Sequence, residues 1–149
     1  MVRNTFEVLG DRTYKIVPKE EADAIALGFS EPGYEIKDYC FKFPEILPNE
    51  MRIKVTKSGL CHSDAHQGLG QWGPNGAFPL VPGHETIGIV THMGDEAKGF
   101  EIGERVGYAT FSGSCEKLEC YGCSNGRNDW CPNFVGAYNP TWGGWCTGL

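Results

Sequence analysis

Residues 51–68 read MRIKVTKSGLCHSDAHQG, and the character of the chain changes halfway along them. Up to Ser58, apolar Met51, Ile53 and Val55 alternate with polar Arg52, Lys54 and Thr56. That period-two pattern predicts a half-buried strand. Beyond Gly59 come one cysteine, two histidines, a serine and an aspartate within six consecutive positions. Ser63 and Asp64 suit the cap or first turn of a helix, and Gly68 suits its end. The stretch therefore predicts a strand that feeds a helix of one to two turns.

Short strands between glycine turns continue downstream. Residues 85–94, ETIGIVTHMG, predict a second strand turning at Gly94-Asp95, and residues 100–110, FEIGERVGYAT, predict a tight turn at Gly103 and a third strand. Residues 70–83, GQWGPNGAFPLVPG, carry too much glycine and proline for regular structure and read as a loop. Residues 115–131, CEKLECYGCSNGRNDWC, have no apolar period and read as a loop ordered by something other than a core. Upstream, PKEEADAIALGF (residues 18–29) allows a short helix through Ala22, Ile25, Ala26 and Phe29, or a solvated arm over residues 1–33. No internal repeat is visible. The fold class is mostly β, a barrel or sandwich of short strands with small helices.

The chain has 149 residues, enough for one domain with a sizeable core. Its 40% hydrophobic and 12% aromatic content fits a globular protein. A net charge of -6 without any run of Lys or Arg makes nucleic acid and anionic membrane poor partners. No stretch approaches the roughly 18 apolar residues of a membrane span. The opening residues hold no apolar leader, which points to the reducing cytoplasm. Seven cysteines, an odd number, then call for a role other than a disulfide framework.

Cys115, Cys120, Cys123 and Cys131 are spaced C-x4-C-x2-C-x7-C. Four thiolates so close in sequence can close tetrahedrally on Zn²⁺ at about 2.3 Å each, and a set with every position filled is structural. Two disulfides, or merely buried thiols, are the competing readings. A second site would need ligands from separate strands. Cys61 closes the first strand and His84 opens the second, a donor pair that suits a borderline-soft ion. Glu85 is a further ligand or a neighbouring acceptor. Asp64 is placed to accept the free N–H of a ligating histidine, and Ser63 and His66 could carry a proton away. On these residues alone, a single Cys and His far apart in sequence are more often buried core residues than ligands.

Taken together, GLCHSDAHQG, FPLVPGHETIGIV, IGERVG and SGSC…CYGC…WC occur in an order that resembles the zinc-dependent alcohol dehydrogenases of the medium-chain dehydrogenase/reductase superfamily, most closely the cinnamyl-alcohol dehydrogenase branch. The resemblance runs over residues 34–149. It implies a GroES-like, partly open β-barrel catalytic domain with one catalytic and one structural zinc, the latter in a loop at 113–132. It makes Cys61 and His84 ligands of the catalytic zinc and Glu85 the carboxylate that can take water's place. It makes Ser63 the group that hydrogen-bonds the substrate oxygen and His66 the end of the proton relay. His62 would face the cofactor pyrophosphate, Asp64 would support a ligand, and Trp72 would line the substrate pocket. An alcohol or aldehyde as substrate and NADP(H) as cofactor follow from the same branch. His92, Cys40 and Cys146 match no family position.

The sequence departs from the family pattern in two places. The first interval of the cysteine loop is two residues longer, with Leu118 and Glu119 the simplest insertion, which weakens Cys115 as a ligand. The family's third catalytic ligand, a further Cys, and its Rossmann domain would lie past Leu149, and no G-x-G-x-x-G occurs. GLGQWG has the wrong spacing. The expectation is an N-terminal fragment or a truncated gene product, inactive alone, able to form the family's homodimer only with the missing domain. Its last segment, TWGGWCTGL, should be a strand left unpaired or half covered. Two rivals remain: a non-catalytic zinc-binding GroES-like module, and a co-chaperonin-like protein, which would need neither metal cluster.

Overall fold

The structure, a computed structural model, describes residues 14–72, 78–137 and 142–149. Eight strands and two short helices alternate along it. They are β1 (Lys15–Ile16), β2 (Ala24–Gly28), β3 (Lys37–Lys42), β4 (Met51–Ser58), α1 (His62–Gly68), β5 (Thr86–Met93), β6 (Arg105–Tyr108), β7 (Phe111–Gly113), α2 (Tyr121–Ser124) and β8 (Val135–Gly136). All pairings are antiparallel, in sheets ordered β1-β3-β2, β4-β5-β6 and β7-β8. The chain is mostly strand, and among the described residues the sheets stay open and do not close into a barrel. No described helix is long and apolar enough to cross a membrane.

The three strands and the helix expected around residues 51–110 are present. β4 pairs with β5 from Met51↔Met93 to Ser58↔Thr86, with register shifts that twist the ribbon. Gly88 lies inward on β5, where a Cβ would come within 2.8 Å of the Lys54 carbonyl. At Gly103 a φ of 90° makes the turn into β6. Of the expected loop at 70–83, residues 73–77 lie outside the described residues.

Two expectations are corrected. Over the described part of segment 1–33, the helix through Ala22, Ile25, Ala26 and Phe29 does not form: one 3-10 turn covers Lys19–Glu21, and Ala24–Gly28 is a strand paired along its whole length with β3. Its burial alternates, with small Ala24, Ala26 and Gly28 inward and Ile25 and Leu27 outward. The inward positions are small because an aromatic layer fills the space in front of them. Phe41, Val81 and Trp142 complete that cluster with Ala24 and Ala26. Trp142 stacks on Tyr14 at 4.8 Å and meets Phe41 edge-on at 4.8 Å. The helical spacing of Ala22, Ile25, Ala26 and Phe29 is therefore incidental.

The second correction concerns residues 142–149, which are paired on both sides. Toward β2, the Leu27 N–H donates to Trp145 O (2.8 Å) and the Thr147 N–H to Ile25 O (2.8 Å). Toward β4, Val55 N–H donates to Thr147 O (3.1 Å), while Ile53 and Leu149 exchange bonds of 2.7 and 2.9 Å. This segment is the strand that joins the first two sheets into one surface. Gly143 and Gly144 permit the approach: a Cβ on either would overlap Pro82, Gly83 or Thr86.

Candidate metal centres and pocket

Cys61 sits where β4 has ended and α1 begins, with extended backbone (φ −110°, ψ 154°) at the N-cap. Asp64, three residues on, closes a capping box by accepting the Cys61 N–H at 2.8 Å. Its other oxygen, Oδ1, accepts the Gly83 N–H at 3.0 Å and lies 3.6 Å from His84 Nδ1. One carboxylate, 1% exposed, thus ties the segment that carries Cys61 to the segment that carries His84. Gly83 has a φ of 105° and packs against Trp145 and Gly144 so closely that no Cβ fits. That turn directs the buried His84 inward. The Gly59 N–H donates to Glu85 O at 2.8 Å, and Trp145 Nε1 donates to Gly59 O at 3.2 Å.

The outcome is that Cys61 Sγ, a ring nitrogen of His84 and a carboxylate oxygen of Glu85 lie within 4.8 Å of one another. A half-buried thiol, a buried imidazole and an exposed carboxylate are donors that zinc accepts, and the spacing fits ligands on one ion. The Cys61 thiol donates to Ser63 Oγ at 3.6 Å. Ser63 and His84 also border a pocket of about 280 Å³ whose far wall is Thr110, Phe134, Gly136 and Ala137, with Trp72 and Gln67 at its side. Sequence reading did not find that far wall. Nothing in the spacing around Phe134 or Ala137 signals that β8 comes back to face α1.

The two α1 histidines lie apart from this pocket wall. His62 is exposed, with its ring 4.5 Å from that of His66. His66 also stacks against Trp72 at 5.1 Å and 24°, and its Nδ1 lies 2.6 Å from Gln71 Oε1.

All four thiols of the cysteine loop converge, with every Sγ within 4.8 Å of the others. Cys115 and Cys123 are 3.7 Å apart. Two sulfurs bound tetrahedrally at 2.3 Å should be about 3.8 Å apart, whereas a disulfide needs about 2.05 Å. Every cysteine is a free thiol. The inserted Leu118 and Glu119 bulge into a turn closed by Cys120 N–H to Lys117 O (3.1 Å), and Leu118 is 87% exposed. Glu116, at a φ of 53°, lets the chain return, so Cys115 keeps its place in the cluster. Cys131 Sγ accepts N–H groups from Cys115 (3.4 Å) and Asn133 (3.3 Å).

Protonation in this cluster is shared. The Lys117 N–H, with the neighbouring thiols, brings Cys115 down to about 7. For Cys120 the Cys123 N–H pulls downward, but desolvation and the surrounding thiols prevail and push it up to about 11. Ionisation is favoured at Cys115 and opposed at Cys120. A dication reverses that balance, since it binds the deprotonated sulfurs. Cys146, by contrast, is pushed up to about 12 by burial and belongs to neither cluster.

An open antiparallel scaffold thus carries a Cys/His/Glu cluster beside a pocket and, separately, a four-thiol loop. Residues 47–148 match the alcohol dehydrogenase GroES-like domain, and the chain belongs to that family. Among its relatives, cinnamyl alcohol dehydrogenase 8 from Arabidopsis thaliana is 34% identical over 124 residues, 83% of this chain and 33% of that one. A cinnamyl alcohol dehydrogenase structure from Sorghum bicolor superposes with a TM-score of 0.77 at 31% identity, covering 85% of this chain and 37% of that one. A second, from Helicobacter pylori and complexed with NADP(H), gives a TM-score of 0.76 at 26% identity over 85% and 38% of the two chains. The chain spans about a third of the length of these relatives.

Proposed function

We propose that this domain is the zinc-binding half of an NADP(H)-linked alcohol dehydrogenase that interconverts a small alcohol and its aldehyde. The observation that carries the reading is the convergence of Cys61, His84 and Glu85 donors within 4.8 Å beside Ser63 at the edge of an apolar pocket. Cys61, His84 and Glu85 would hold a catalytic zinc, and Cys115, Cys120, Cys123 and Cys131 a structural one. Zinc at the first site supplies Lewis acidity, which makes a hydroxyl proton easier to remove.

The chain's own residues do the rest. Phe134, Ala137 and Trp72 exclude water and seat the organic part of the substrate. Ser63 Oγ hydrogen-bonds the substrate oxygen and takes its proton, and His66 receives that proton on the solvent side of α1. Asp64 holds the two ligand segments in register, the supporting role that hydrogen-bonded carboxylates play around metal-binding histidines. His62, exposed at the start of α1, would meet the cofactor's phosphates; the Helicobacter pylori relative was solved with NADP(H) bound. Seven free thiols suit a reducing compartment, the cytoplasm.

Metal analysis with single substitutions tests the assignment. The purified protein should hold one zinc that resists dialysis and a second that His84→Ala removes while the first stays. Joined to a nucleotide-binding domain, the protein should reduce NADP⁺ with an alcohol, and Ser63→Ala should lower that rate by about a hundredfold. Two zinc ions with no such activity in the joined protein would favour a non-catalytic zinc-binding module.

A further inference from the structure

His66 has three side-chain neighbours, and the third is a residue with no part in the scheme above. Its ring lies 4.5 Å from that of His62, tilted by 34°, and stacks against Trp72 at 5.1 Å. Its Nδ1 edge meets Gln71 Oε1 at 2.6 Å. The backbone brings these two residues together. After α1 ends, Gly70 takes a φ of 67°, the left-handed turn that reverses a chain past a helix C-terminus. The Gln71 N–H then donates to His66 O at 3.0 Å. Gln71 is therefore joined to His66 twice, once through the main chain and once through the side chains.

An amide oxygen only accepts, so the nitrogen facing it must carry the hydrogen. Which ring nitrogen of a neutral histidine is protonated is decided by the bond the other makes. We propose that Gln71 is a positioning residue: it fixes His66 in the Nδ1–H tautomer, so that Nε2 is the nitrogen free to take a proton. This rests on the reading of His66 as the end of a proton path. The amide also sets the end of that path, because it holds the Nδ1 hydrogen without being able to receive it. A proton taken at Nε2 leaves from the Nε2 edge and does not pass on through Gln71.

Long-range ¹H–¹⁵N NMR of the ¹⁵N-labelled protein, at a pH where His66 is neutral, reads the tautomer directly. The native protein should show His66 as Nδ1–H. Gln71→Leu, at an exposed position that leaves the fold intact, should move the population toward Nε2–H, and Gln71→Glu, which restores an acceptor oxygen, should return it. A native protein in the Nε2–H form, or a tautomer unmoved in Gln71→Leu, overturns the proposal. The activity reading is separable. In enzyme that turns over, Gln71→Leu should lower kcat about tenfold with little change in KM, and Gln71→Glu should recover it. A tautomer that shifts while kcat does not would sink His66 as proton acceptor and leave the Gln71 assignment standing.

Discussion

The two metal-ligand clusters are built in opposite ways. The cysteine loop takes four like donors from one short run, and its neighbourhood offers little else to order it. Residues 113–132 contribute nothing to the main core cluster, and Leu118, Tyr121 and Trp130 stand largely in solvent. The Cys61/His84/Glu85 cluster takes three unlike donors from two segments that the β4–β5 pairing brings together and Asp64 cross-links. In the first, the metal should make the structure. In the second, the structure is ready before the metal arrives.

That contrast is tested most strongly by removing one donor from the loop. Cys123→Ser should cost the tightly held zinc and lower the melting temperature by about 10 °C or more, as loss of a structural metal does. Calorimetry with metal analysis on the same sample measures both. Equal stability with the ion gone would put the loop's order elsewhere. In protein stripped of metal, Cys115, held down near 7, should react with an alkylating reagent at neutral pH well before Cys120, raised to about 11. Peptide mapping after a short pulse shows the order.

The assembled cluster should respond differently. Asp64→Asn removes the charge that serves the Cys61 and Gly83 N–H groups and should cost about 2 kcal/mol in urea unfolding. It should also weaken zinc at Cys61 and His84 by about tenfold to a hundredfold, with the loop zinc untouched. The smallest effect belongs to Gly59→Ala. A Cβ there meets the Glu85 carboxylate and lies 2.9 Å from Glu85 Cβ. Stability should fall by about 1 kcal/mol, while the weaker zinc loses its carboxylate ligand. Titration with Co²⁺, whose visible spectrum reports donor type, distinguishes the two sites. A loop spectrum altered by Gly59→Ala would contradict their independence.

What the sequence revealed follows the same division. The loop was legible because its four cysteines lie within one short interval, and the β4–α1 strand-to-helix switch because its alternation stops at Gly59. Where the inserted pair would go was not legible, since a left-handed Glu116 has no sequence marker. Ala24–Gly28 was misread because alanine and glycine fit a helix as well as a crowded strand, and only the aromatics opposite decide between them. The pocket wall at Thr110, Phe134 and Ala137, and the Gln71 contact, depend on chain reversals that no local period announces. The pairing of residues 145–149 was hidden for a related reason: both its partners are far away in sequence.

That last pairing bears on how the domain forms. Ile25 and Thr147 are 122 positions apart, and their bonds lie at the seam of the joined sheets. Closing a chain segment of that length costs on the order of 4 kcal/mol in configurational entropy before any contact compensates. The β4–β5 pair and the cysteine loop are more local, so they should form early, and the seam should form late and slowly. A nascent chain could thus carry a finished metal loop while its main sheet is still in two pieces. During synthesis the exposed edges of β2 and β4 are the surfaces most open to unwanted pairing.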